Sequence, residues 1–450
     1  MHIDCFKAYD VRGRVPEELD EGIAYRIGRA YAEFLNPSRV IIGRDARLTS
    51  ESLSMALSEG LTDSGVDVYD IGLCGTEEVY FGVFYRKMDG GIMVTASHNP
   101  PDYNGMKFLQ RGAKPVSGDS GLETIKALTI KDRFHYSKRK GKIYPLNLRE
   151  DYIRHLLGYV EKDKIRPLRI LTNPGNGSAG LIIDQIEEYL PLEFIKINHK
   201  LDGTFPNGIP NPLLPENRGS TSKAVMDNNA HIGIAWDGDF DRCFFFDEKG
   251  NFIEGYYVVG LLASVLLSKH PGSKIIHDPR LIWNTIDIVT KSGGIPVMSK
   301  TGHAFIKERM RIEDALYGGE MSGHHYFRDF AYCDSGMIPW LLILEIISEG
   351  SPLSERVQER MNLFPISGEI NRRVQEPEVV IRTVEERYRS ESISIDYTDG
   401  LSMEFPEWRF NLRPSNTEPV LRLNLEARGN RNLVMEKTED ILSLIRDYEF

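Results

Sequence analysis

Hydrophobic and polar positions follow one another along this chain in a recurring order: a short apolar strand-like run, a polar loop, then a stretch with helical spacing. The order is met in three sets. RVIIGRDAR (39–47), VDVYDIGL (66–73) and GGIMVTASHNP (90–100) form the first; LRILTNPGNG (168–177), LEFIKINHK (192–200) and HIGIAWDGDFDR (231–242) the second; KIIHDPR (274–280), GIPVMSKTGH (294–303) and DALYGGEMSGH (314–324) the third. Spacers such as ESLSMALSEGLTDSG (51–65) read as helices, and the alternation predicts βαβ units with largely parallel sheets. The tail differs: SMEFPEWRFNLRPSNTEPVLRLNLEARG (402–429) reads as strands and NLVMEKTEDILSLIRDYE (432–449) as an amphipathic helix, an α+β pattern. The expected architecture is therefore α/β with four domains, three related mixed or parallel α/β domains (1–148, 149–250 and 251–361) and a C-terminal α+β domain (362–450).

A length of 450 residues fits several domains rather than one core, and 41% hydrophobic with 27% charged residues is a globular composition. The net charge of −11 argues against a general nucleic-acid or anionic-membrane surface, so an anionic ligand would have to be drawn by local arginines. The longest apolar runs, VVGLLASVLL (258–267) and MIPWLLILEII (337–347), fall short of the roughly 20 residues of a membrane helix and read as buried helices. The N-terminal MHIDCFKAYDVRGR lacks the apolar centre of a signal peptide. Four scattered cysteines, Cys5, Cys74, Cys243 and Cys333, without a CxxC spacing, lead us to expect a reduced, cytoplasmic protein.

In open α/β sheets, ligands sit beyond the carboxyl ends of strands, where the polar loops lie. The densest loop is WDGDFDRCFFFDEKGNF (236–252), in which Asp237, Asp239 and Asp241 alternate. Three carboxylates held together repel one another unless a cation joins them, and Mg²⁺ suits a few carboxylates plus a phosphate oxygen. An EF-hand is excluded because Arg242 stands at its sixth position and both flanks read as strands. Arg242 beside the triad suits a phosphoryl group shared with the cation. In NLRPSNTEPVLRL (411–423), Arg413, Ser415, Asn416 and Thr417 make a candidate phosphate clamp, with Arg422 available as a salt-bridge partner. YGGEMSGHHYF (317–327) puts paired glycines before Glu320, Ser322 and His324 and can offer a carboxylate and a hydroxyl to sugar hydroxyls, while His325 reads as structural. Arg280 and His303 end the other strands of that third set and are further candidate substrate contacts.

Ser97 in TASHNP invites a hydrolase reading, but no GxSxG elbow is present and adjacent residues seldom align imidazole and hydroxyl as a triad requires. A serine that carries a phosphoryl group needs a cation, arginines and a proton-transfer group, all of which the chain supplies. His98 then reads as an orienting or phosphate-binding group, and Lys107 as the proton-transfer group if its surroundings lower its pKa. Among the arginines of this region, Arg12 in YDVRGR reads as functional, whereas Arg44 and Arg47 read as partners of Asp45 and its acidic neighbours.

The ordered set YDVRG, TASHNP, DGDFDR, GEMSGH and RPSNTEP resembles the α-D-phosphohexomutases, and most closely their bacterial phosphomannomutase branch; DGTFPNGIPNPLLPEN (202–217) also looks like a second-domain segment of that family. The resemblance runs from about residue 9 to the C-terminal helix. It implies four domains around a central cleft and reversible interconversion of mannose 6-phosphate and mannose 1-phosphate through a phosphoserine and a hexose 1,6-bisphosphate. The implied carrier is Ser97, which with Asp237, Asp239 and Asp241 completes a Mg²⁺ site. Arg12, His98, Lys107 and Arg242 would surround the phosphoryl group, with Lys107 as acid/base. Glu320, Ser322 and His324 would read the sugar, and Arg413, Ser415, Asn416 and Thr417 the distal phosphate. Arg280 stands where many relatives carry a lysine, keeping charge but not shape. Met321 stands where glucosamine-specific members carry glutamine, which leaves phosphoglucomutase or a dual-specificity enzyme as the nearest alternatives. Phosphatase or silent sugar-phosphate-binding roles fit less well. Sugar phosphates are the expected partners, with no nucleic acid or membrane, in a monomer or homodimer, and a supply role for GDP-mannose and surface polysaccharide is implied.

Overall fold

The computed structural model describes residues 3–415 and 420–449. Their contacts form two compact units: Met1–Phe252 with His324–Gly350, and Ile253–Gly323 with Ser351–Phe450.

In the first unit, strand Arg39–Arg44 lies between Asp67–Leu73 and Gly90–Val94, parallel to both. Tyr103–Gln110 adds antiparallel to Gly90–Val94, and Val11–Arg14 adds antiparallel beyond it. The second sheet repeats this order. Leu168–Asn173 lies between Leu192–Lys196 and Ile232–Trp236, parallel to both, and Cys243–Phe246 adds antiparallel to the last. In the second unit Lys274–His277 likewise lies between Ile295–Met298 and Tyr317–Gly319 in parallel. The three sets of strands read from the sequence thus share one topology, with the first strand of each set central. The reason is local: a buried parallel strand wants apolar residues on both faces, and Val40, Ile41 and Ile42 are all fully buried.

The two long apolar runs become the helices Gly255–Lys269 and Ile338–Ser348, the second with nine of its residues buried. No described helix is long and apolar enough to cross a membrane. The N-terminus of Ile338–Ser348 is held from a distance in sequence by Glu77, a fully buried residue whose Oε2 accepts from Gly336 N at 2.6 Å and Met337 N at 3.4 Å. The Tyr152 hydroxyl donates to the other oxygen of Glu77.

The tail is a five-stranded antiparallel sheet, in the order Ile370–Arg373, Val420–Ala427, Trp408–Pro414, Leu401–Glu404, Ser394–Asp396. Helices Pro377–Tyr388 and Arg431–Arg446 pack on it through Val380, Val384, Ile441 and Ile445 against Phe410, Leu412 and Leu425. One buried pair ties this sheet to the loop after Lys274–His277. Arg409 donates to Glu426 at 3.0 Å, to Arg280 O at 2.9 Å and to Pro279 O at 3.1 Å. Glu426 in turn accepts from Ile282 N at 2.7 Å and from Trp283 N, at the start of helix Trp283–Lys291. A carboxylate there satisfies amides that have no partner inside the helix.

Candidate active site

Strand Gly90–Val94 is buried along its whole length and ends in a turn that carries Ser97 at φ 49, a left-handed conformation uncommon for a residue with a side chain. Two devices hold the turn. Thr95 Oγ1 accepts from Ser97 N at 2.8 Å and donates to Asp45 Oδ2 at 2.7 Å. Arg47, its side chain fully enclosed, donates to the carbonyls of Ser97, Asn99, Pro100 and Tyr103 at 2.6–2.9 Å. Arg47 is therefore structural, as expected, but most of its partners are carbonyls of the serine loop rather than acids. A guanidinium that replaces several loop–loop hydrogen bonds lets this backbone keep a shape no regular element would give it.

The Asp237–Arg242 loop meets the serine turn directly. A Cβ on Gly238 would lie 2.5 Å from Ser97 O, so only glycine permits the approach. Ser97 Oγ donates to Asp237 Oδ2 at 2.8 Å and lies 3.1 Å from His98 Nδ1. Arg242 donates to the same Asp237 oxygen at 2.9 Å through Nε and to His98 Nδ1 through a terminal nitrogen. The ring nitrogen has one lone pair, and Arg242 occupies it; the serine proton is left to Asp237. Burial, together with the Arg242 and Arg12 charges, pushes the His98 pKa well below its ordinary value, so the ring is neutral. A neutral ring whose lone pair is taken by Arg242 is not placed to accept the Ser97 proton.

Asp237, Asp239 and Asp241 are all buried and place one oxygen each within 4.8 Å of one another. Lys107 Nζ donates to Asp239 Oδ2 at 2.7 Å and Asp241 Oδ2 at 2.6 Å, and Thr76 Oγ1 donates to Asp239 at 2.5 Å. Repulsion among the carboxylates is thus partly answered by the chain's own Lys107 and Arg242, a point the alternating aspartates alone did not reveal. Among the described residues the other oxygens of Asp239 and Asp241 are buried with no hydrogen-bond partner, which fits a cation. Burial and the neighbouring Asp239 push Asp241 up to about 6, whereas for Asp239 the Lys107 ammonium outweighs burial and lowers the pKa. Lys107 differs from expectation. Burial alone would depress it, but Asp239 and Asp241 overcome burial and raise its pKa, so in this arrangement it is a fixed cation and the condition for a proton-transfer role is not met.

Arg12, on strand Val11–Arg14, is braced by Asp10 at 2.9 Å and by Asn99 Oδ1 at 2.6 Å. His324 Nδ1 lies 2.9 Å from Asp334 Oδ2 and 4.0 Å from Asp241 Oδ1; burial lowers its pKa, but these two carboxylates raise it further. The first unit therefore gathers Arg12, Ser97, His98, Lys107, the three aspartates, Arg242 and His324. Thr76, Asn99 and Asp334 also belong to it and were missed, because none stands in a motif with a chemical pattern of its own.

The second unit holds the remaining candidates. Arg280 is buried, donates to Asp278 at 2.7 Å and lies 3.4 Å from Glu369; Asp278 also accepts from Met321 N at 3.0 Å. Glu320 is buried and accepts from Gly302 N at 2.9 Å, which joins its loop to the one that leads into His303 at the start of helix His303–Glu313. Ser322 is partly exposed. Arg413 ends a strand and reaches Glu369 at 3.4 Å, and Ser415 N donates to Val420 O at 2.8 Å. Asn416 and Thr417 lie outside the described residues.

Comparison with known proteins places this geometry in a family. Residues 4–135, 150–250 and 254–364 match the phosphoglucomutase/phosphomannomutase α/β/α domains I, II and III, and residues 369–443 match the C-terminal domain of the same proteins. The chain is 60% identical over 452 residues to a phosphomannomutase of Salmonella montevideo, covering 99% of each, and 57% identical over 453 residues to a phosphomannomutase of Escherichia coli strain K12, again covering 99% of each. Among solved structures, a phosphoglucomutase/phosphomannomutase family protein of Burkholderia thailandensis superimposes with a TM-score of 0.89 at 30% identity, over 100% of this chain and 99% of that one. The four domains, the serine turn against the aspartate loop, and these full-length likenesses together establish that the chain belongs to the phosphoglucomutase/phosphomannomutase family, the α-D-phosphohexomutases.

Proposed function

We propose that this protein is a phosphomannomutase, an isomerase that interconverts mannose 6-phosphate and mannose 1-phosphate, with Ser97 as phosphoryl carrier and a hexose 1,6-bisphosphate as intermediate. The observation that carries the reading is the contact of Ser97 Oγ with Asp237 at 2.8 Å inside a cluster that also holds Asp239, Asp241, Arg242 and Lys107. The full-length likeness to proteins named phosphomannomutase supports the sugar. In this reading residues 1–148 carry the serine, 149–250 the metal loop, 251–361 the sugar loop and 362–450 the phosphate loop.

Asp237, Asp239 and Asp241, with Ser97, would hold Mg²⁺, which supplies Lewis-acid stabilisation of charge on the transferring group. The chain's own groups divide the remaining work. Arg242, Arg12 and Lys107 present fixed positive charge to the phosphoryl oxygens without reorganising. The P–O bond to Ser97 Oγ breaks as the bond to the sugar hydroxyl oxygen forms, and the hydroxyl proton must leave. Lys107 is the group assigned to that proton, and it must first give up the one that Asp239 and Asp241 hold on it; His324, whose pKa Asp241 and Asp334 raise, would read a sugar hydroxyl. Glu320, Ser322 and His303 would orient the sugar, and Arg280, Arg413, Ser415, Asn416 and Thr417 its distal phosphate, so the idle phosphate positions the reacting end. The four buried thiols are free, which suits a cytoplasmic enzyme.

Intact mass after incubation with mannose 1,6-bisphosphate is expected to show one added phosphate that maps to Ser97, and Ser97→Ala to remove both the phosphate and turnover. Full turnover by Ser97→Ala would overturn the reading. Mannose 1-phosphate is expected to give the higher kcat/KM; a clear preference for glucose 1-phosphate would reassign the sugar and leave the chemistry standing.

A further inference from the structure

Three arginines of the second unit converge on one carboxylate. Glu369 Oε2 lies 3.4 Å from Arg280 and 3.4 Å from Arg413, and Oε1 lies 3.4 Å from Arg422. All three distances are long for charge-assisted hydrogen bonds, whereas Arg280 meets Asp278 at 2.7 Å. Glu369 thus meets all three arginines only at long range, whereas Arg280 is held closely by Asp278 and, through its carbonyl, by Arg409; Arg413 has Asp399 as a second distant carboxylate at 3.7 Å. The Nε atoms of Arg280, Arg413 and Arg422 are buried with no hydrogen-bond partner among the described residues, so the guanidiniums hold donor capacity that Glu369 does not use. With Glu369 in place, three guanidiniums face the carboxylates of Asp278, Asp399 and Glu369, and Glu320 adds a further negative charge near Arg280. A phosphate dianion meets a cluster that already contains an anion.

We propose that Glu369 is a built-in competitor for the distal phosphate: it occupies the arginine cluster when phosphate leaves and weakens phosphate binding enough for the bisphosphate to let go and turn. The inference rests on the reading of Arg280 and Arg413 as the distal-phosphate clamp. Its physical basis is that the bisphosphate must present each end in turn, so a clamp of unopposed arginines would hold one end and slow the exchange. Arg422 thereby becomes a member of the phosphate site, and Glu369 a residue that sets how tightly that site holds its ligand.

The test is steady-state kinetics with mannose 1-phosphate, together with competitive inhibition by inorganic phosphate. Glu369→Gln removes one negative charge a few ångströms from the phosphate and is expected to lower KM and the phosphate inhibition constant about tenfold while kcat falls, since release becomes slower. Arg422→Met is expected to raise both constants, and the Arg422→Met/Glu369→Gln double variant to return them toward the wild-type values because the two charge changes cancel. An unchanged or higher KM in Glu369→Gln, or no recovery in the double variant, would mean that Glu369 merely braces the arginines and would overturn the proposal. Arg413→Ala separates the two levels: if it leaves KM unchanged, the clamp reading itself fails, whatever Glu369 does.

Discussion

At the scale of single residues, the serine turn is governed by contacts that leave almost no room. Gly238 faces Ser97 O so closely that an added methyl would lie 2.5 Å from it, against backbone that cannot rotate away. Gly238→Ala is expected to reduce kcat by about a hundredfold, as small displacements of reacting groups do, with a much smaller loss of thermal stability; kcat and the unfolding midpoint measured together would show it. The metal prediction is equally local. Mg²⁺ is expected to raise the unfolding midpoint of the wild-type protein and not that of Asp239→Asn, with a chelator abolishing turnover, as calorimetry and activity assays can establish. His325 gives the pH dependence. It is fully buried, and burial, with His324 beside it, lowers its pKa to about 3, so the folded state keeps it neutral where the unfolded chain binds a proton. Its depressed pKa means stability is retained above the ordinary histidine range and lost as pH falls below it. Between pH 7 and pH 5 this residue is expected to cost about 2 kcal/mol, a loss that His325→Leu should not show in urea titrations at the two pH values.

At the scale of elements, the helix Ile338–Ser348 shows how a run too short for a membrane and too apolar for a surface is accommodated: it is enclosed almost completely, and its entry is tied to Glu77 of helix Thr76–Tyr85. Glu77 is held in an apolar setting that pushes its carboxyl pKa well up, and it repays this by satisfying two buried amides. Glu77→Ala would strand those amides and the Tyr152 hydroxyl, and is expected to destabilise the protein by about 3 kcal/mol in denaturant unfolding. The apolar run itself was plain in the sequence. Its carboxylate partner was not, since nothing in TEEVY distinguishes a buried glutamate from an exposed one.

At the scale of the whole molecule, the chain divides its candidate chemistry between two compact units, the serine and aspartate loops in one and the Arg280, Glu320 and Arg413 loops in the other. Within the second unit the Arg409–Glu426 pair joins the phosphate-loop domain to the loop that carries Arg280. Both side chains are buried, so removal of one leaves the other charge unanswered. Arg409→Met is expected to cost about 3–5 kcal/mol of stability and to raise KM for sugar phosphate more than it lowers kcat, because Arg280 loses its anchor; unfolding and kinetic measurements on the same preparation test both halves.

What the sequence determined by itself was the order of strands and helices, the four-domain plan and the loops that carry chemistry. These follow from local rules: apolar period, turn residues and side-chain type are properties of short stretches. TASHNP and DGDFDR each announce chemistry on their own, which is why Ser97 and the three aspartates were legible. Tertiary structure decided how these groups answer one another. It placed Lys107 between Asp239 and Asp241 and so raised a pKa that a proton-transfer role needs lowered; it gave the lone pair of His98 to Arg242; it made Arg47 the scaffold of the serine turn; and it set Glu369 among three arginines. Charge state and hydrogen-bond allocation depend on distances of a few ångströms between residues far apart in the chain, and only the folded arrangement sets those distances.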